Sequence, residues 1–111
     1  MTRIDVVKHV AADPASVALL LAEPATEGDR ESIVLTPPRR SGVGFSAAVE
    51  VSDIGEMPAV GEVVVQPGSD AGCEVRLVLH VPNQSARHVE RAGSRFLSEL
   101  ALRARSRSRA A

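Results

Sequence analysis

Residues 70–82 read DAGCEVRLVLHVP, and the alternation in that stretch decides the fold. Cys73, Val75, Leu77, Leu79 and Val81 share one parity, and Glu74, Arg76, Val78 and His80 share the other. A period of two, apolar on one side and largely polar on the other, is the pattern of a strand with one buried face. The stretch also holds the only cysteine and one of the three histidines. These are raw materials for thiol or metal chemistry, but the two residues do not form a dyad. They differ in parity, and seven residues of strand separate them by roughly 23 Å at about 3.3 Å per residue. A nucleophile and its base must meet within about 3 Å. Cys73 is therefore read as a small buried hydrophobe.

Outward from this strand the same period recurs. Phe45, Ala47, Val49 and Val51 alternate with Ser46, Ala48 and Glu50. Ile4, Val6 and Val10 mark a first strand, Ile33 and Leu35 a short one stopped by Pro37 and Pro38, and Val63–Val65 another. RRSGVG (39–44), DIGEMPAVG (53–61) and QPGSDAG (66–72) read as turns and connectors, and the glycines at 42, 44, 55, 61, 68 and 72 are assigned to turn geometry.

Two segments switch to helical spacing. In ADPASVALLLAEP (12–24), Asp13 is placed to cap, Pro14 suits the first helical position, and Pro24 ends the run. ATEGDRE (25–31) is a polar connection with room for a further helical turn. From about Ser85 to Arg105, Val89, Ala92, Gly93, Phe96, Leu97, Leu100 and Ala101 form one apolar stripe, with Ser85 as the expected cap. The expected fold is α+β: an antiparallel sheet of about five strands packed against a long C-terminal helix, with a short helix after the first strand.

A chain of 111 residues is expected to form one domain, residues 1–105, followed by a frayed Arg-rich tail, 106–111. With two Phe and no Trp or Tyr, the core must be aliphatic. The net charge of −1 conceals a split: residues 85–111 hold seven Arg and two Glu, a net of +5, so residues 1–84 carry −6. A basic end lacking interleaved aromatics does not carry a nucleic-acid signature, and no nucleic-acid partner is expected. No apolar run is long enough for a membrane span, and one cysteine forms no internal disulfide, so a cytoplasmic setting is expected. His9, His80 and His88 show no ligand spacing, so neither a metal nor a cofactor is expected.

IDVVKHVAADPASVALLLAEP (4–24), GSDAGCEVRLVLHVP (68–82) and ARHVERAGSRFLSEL (86–100) together resemble the START-type and polyketide cyclase-dehydrase (SRPBCC) superfamily. They are similar to its opening strand and first short helix, its late strand, and its closing helix. The resemblance implies a helix-grip fold, here reduced, since the chain is shorter than full members. A tryptophan common in the family's first helix is replaced by Ala18 or Leu19. The resemblance further implies a hydrophobic, lipid- or polyketide-like ligand held between sheet and C-terminal helix.

Phe45, Val49, Val75, Leu77, Phe96 and Leu100 are the expected lining of such a site, with small residues at Ala47 and Gly93 leaving room. The inward positions carry no acid or base, so catalysis as a cyclase or dehydratase ranks last. The alternative is a cavity-less module that dimerises through an open sheet edge.

Overall fold

The structure, a computed structural model, describes residues 1–22, 32–52, 58–68 and 72–110, with the backbone alone for residue 32 and residues 107–110. Six strands and two helices follow in order: β1 (Thr2–Val10), α1 (Pro14–Ala22), β2 (Ser32–Leu35), β3 (Arg39–Ser41), β4 (Gly44–Ser52), β5 (Ala59–Pro67), β6 (Cys73–Val81) and α2 (Ala86–Ala110). A 3₁₀ turn, Asn83–Ser85, leads into α2. Every strand pairing is antiparallel, in the order β1-β6-β5-β4-β2, with β3 also on β4. The expected α+β architecture is the observed one, with one short strand more than the pattern implied.

The parity read from the sequence holds across the sheet. Ile4 and Val10, Ala47, Val49 and Val51, Val63 and Val65, and all five odd positions of β6 are buried. Each fully buried Val or Leu contributes about 1.5–3 kcal/mol. The two helices divide the work of covering this face. α2 packs chiefly on β1, with lesser contact to β6, and α1 packs on β4, β5 and α2. Asp13 caps α1 as expected: its carboxylate accepts from the Ser16 amide (3.3 Å) and the Ser16 hydroxyl (2.6 Å).

Four expectations are corrected. RRSGVG is not all turn, because Arg39–Ser41 pairs with Gly44–Ser46 around a two-residue turn, Gly42–Val43. Gly42 has φ +59°, which fits the glycine-first hairpin turn. A three-residue strand is too short to display a period.

Gly44 and Gly61 are strand residues. A Cβ on Gly61 would fall 1.8 Å from the Val78 carbonyl oxygen, and one on Gly44 1.9 Å from that of Val65. These positions demand glycine because neighbouring backbone occupies the side-chain space. β5 is also longer than Val63–Val65, since it draws in Ala59 through Glu62 from the expected connector. α2 starts at Ala86, after the 3₁₀ turn containing Ser85, and continues to Ala110 where an end near Arg105 was expected. The reading of ATEGDRE, the helix stop at Pro24 and the turn assignment of Gly55 fall outside the described residues.

Candidate functional site

The six expected lining residues lie in, or directly against, one continuous core. Val49, Val75, Leu77 and Leu100 are buried members of it, and Phe45 and Phe96 pack on it partly exposed. They do not all line one sheet–helix gap. Val49 sits on β4, in the half of the sheet covered by α1, while Leu77 lies under α2. The room anticipated beside Gly93 is taken by the sheet itself: a Cβ there would stand 3.0 Å from Leu77 Cδ2 and 3.9 Å from Val6 Cγ2. Glycine here lets the helix backbone settle onto β6 and β1.

Cys73 is fully buried and unpaired by any disulfide. Burial pushes its thiol up to about 11, with a smaller contribution from the Asp13 carboxylate. The thiolate is the reactive form, so this side chain is an apolar filler at neutral pH, as its parity indicated. Asp13 is held below the usual carboxylate range by its bonds to Ser16. The histidines do not converge. His9 stands across from Glu74, and His80 across from Arg3 and Val60, six residues along β6 from Glu74, or roughly 20 Å. Among the described residues, no group of three or more His, Cys, Asp or Glu is placed to hold a metal ion, and no helix is long and apolar enough to cross a membrane.

The opposite face of the sheet is an open lattice. Reading across the strands, one row runs Arg3, His80, Val60, Glu50, Val34; the next Asp5, Val78, Glu62, Ala48; the next Val7, Arg76, Val64, Ser46. Arg76 bridges Asp5 (3.2 Å) and Glu74 (3.7 Å), and Arg3 reaches Asp5 (3.6 Å). All four are solvent-exposed, so each pair contributes between about 0 and 1 kcal/mol. Val7 and Val60 are 46% and 45% exposed between these charges.

The sheet's two edges differ in construction. On one, β2 and β3 are two short pieces of a single interrupted strand. Leu35 faces Val49 and Arg39 faces Ser46, so residues 36–38 stand against only 47–48, a one-residue bulge at Pro37–Pro38. The Thr36 hydroxyl accepts from the Ala48 amide (2.9 Å), and the Thr36 amide donates to the Ala48 carbonyl (3.0 Å). On the other edge, β1 runs nine residues without interruption and, among the described residues, pairs only with β6.

That open edge was not legible in the sequence, because no local pattern tells which strand lies outermost. The double proline was the one local signal of an edge, and it marks the opposite side. Fold and site together define an α+β domain with one helix-covered face, one open face and one uninterrupted edge. Comparison with protein-family models, curated proteins and solved structures finds no match.

Proposed function

We propose that this chain is a non-catalytic interaction module that associates with a second copy through the open β1 edge. The observation that carries the reading is the nine-residue strand Thr2–Val10, which among the described residues is paired on one side only. A long, regular edge presents a row of main-chain donors and acceptors that a further strand satisfies. The inward-facing positions among the described residues support a non-catalytic role, since they are apolar apart from the buried Cys73 thiol, whose pKa is raised. Size-exclusion chromatography with light scattering, across protein concentration and salt, tests the reading. The expected result is twice the chain mass at micromolar concentration; a monomer under every condition rejects it.

A second reading keeps the apolar ligand. Phe45 and Phe96 are the only aromatics in the chain, and both are partly exposed beside the core, which is how a hydrophobic small molecule would be met at a rim. The element order of strand, helix, strands and long helix supports the START-type resemblance. Native mass spectrometry of protein purified from its host separates the two readings: a bound small-molecule mass favours the ligand, a clean apo mass removes it.

A further inference from the structure

We infer that two copies join β1 to β1 in antiparallel fashion across a two-fold axis at Val7, an inference that rests on the edge reading above. The register follows from faces and charges. Residues opposite one another in an antiparallel pair share a face. In β1 the even positions Ile4, Val6 and Val10 turn toward the core side, and Arg3, Asp5, Val7 and His9 toward the open face. Only registers that match parity keep both faces intact.

Centring the axis on Asp5 sets two aspartates opposite each other, and centring it on Lys8 sets two lysines opposite each other. Both juxtapose like-signed groups, which weakens a sheet. Centring on Val6 sets Lys8 against Ile4 and Asp5 against Val7, a charge against an apolar side chain on each face. Centring on Ile4 pairs Arg3 with Asp5 but overlaps only residues 2–6 of the strand.

Centring on Val7 overlaps residues 4–10. It stacks Val7 on its symmetry mate and places Asp5 opposite His9 twice. On the core side it sets Ile4 against Val10, and Val6 against the aliphatic stem of Lys8. The exposed half of Val7 is then covered by its counterpart. The two sheets become one continuous sheet, with both helix pairs on the same side.

Cross-linking through one introduced cysteine tests the register. Under mild oxidation or with a short bis-maleimide linker, Val7→Cys is expected to yield a covalent dimer. Residues directly opposite lie about 4.5–5.5 Å apart between Cα atoms, within disulfide reach. Asp5→Cys is expected to remain uncoupled, because its own symmetry mate is four residues away, roughly 13 Å. Wild-type protein, with its buried Cys73, serves as the uncoupled control.

Light scattering is run on the same variants. A dimer in which Asp5→Cys couples and Val7→Cys does not overturns the Val7 register while leaving edge association in place. A dimer in which neither couples overturns the Val7 register and leaves β1 pairing only in one of the other registers. A monomer throughout, with no cross-linked species, overturns both readings and leaves the edge to a strand from another protein. Both positions face solvent in the single chain, so neither substitution threatens folding.

Discussion

The two edges of this sheet meet the same physical problem and answer it differently. The β2–β3 edge is broken by two prolines, bulged by one residue and split into pieces of four and three residues. Short strands, proline and bulges are the devices by which proteins blunt an edge. The β1 edge carries charged side chains, Arg3, Asp5 and Lys8, on an otherwise regular run of nine. A fold that blunts one side and leaves the other regular has edges of different construction, and the proposed association uses the regular one.

The largest test of this contrast removes what connects the two edges. Gly61 on β5 lies between Val49 of β4 and Leu79 of β6, and so between the half that carries β2–β3 and the half that carries β1. Gly61→Ala forces a methyl against the Val78 carbonyl. The expected loss is about 3 kcal/mol or more, read as a fall in the urea midpoint. A variant within about 1 kcal/mol of wild type would show that β5 can shift and that the halves are less tightly joined.

Next comes the far end of the open edge, where Cys73 pairs with Val10. Cys73→Ser buries a hydroxyl in an apolar site and is expected to cost about 1–3 kcal/mol. The thiol also makes this anchor pH-sensitive. Its folded pKa is raised from 9.0 to about 11, so the folded state retains its proton longer than the unfolded state. That stabilisation is complete below pH 9 and is lost as pH rises toward 11. The stability difference between wild type and Cys73→Ala is therefore expected to shrink over that window in paired urea titrations.

At the middle of the edge, Val7→Lys sets two positive charges across the proposed axis. An increase of about tenfold in the dimer dissociation constant, equivalent to about 1.4 kcal/mol, is expected by sedimentation equilibrium, with the thermal midpoint of the single chain unchanged. An unaltered dimer would place the contact elsewhere.

The smallest effect is expected at Gly93, where α2 meets β6 and β1. Alanine gains about 1 kcal/mol of helix propensity and spends much of it moving the Leu77 methyl, 3.0 Å from the new Cβ. The net change should lie within about 1 kcal/mol of zero. A larger loss would mean that Leu77 has no room to yield.

Much of the core was written locally. The parity of Cys73–Val81 and of Phe45–Val51, the cap at Asp13 and the stripe from Val89 to Leu100 each follow from residues a few positions apart. The division of the sheet between two helices was not legible, and with it the separation of Val49 from the α2 half. Which strand a helix crosses depends on strand order, and strand order joins residues far apart in sequence. Gly61 was misread for a related reason: within its own strand it resembles a turn glycine, and only the neighbouring strand's carbonyl reveals why it must lack a side chain. Of the candidate lining residues, Val49, Val75, Leu77 and Leu100 are buried, and Phe45 and Phe96 are partly exposed. How they pack depends on close approaches such as that at Gly93, which composition does not encode.

The partnership of the first strand with the last also sets a folding order. The Thr2 hydroxyl donates to Asn83 Oδ1, 81 residues along the chain, and all of β1 pairs with β6 alone. On a growing chain, β1 emerges first yet has no strand to join until β6 has left the ribosome. The β3–β4 hairpin and the β4–β5–β6 meander can form from near neighbours, whereas docking β1 closes the longest loop in the molecule and belongs late, as non-local pairings do. Until then Ile4, Val6 and Val10 are uncovered and both edges of the strand are unpaired. The segment proposed to join two finished copies is thus also the one that waits longest during synthesis, and the one most in need of protection from pairing too early.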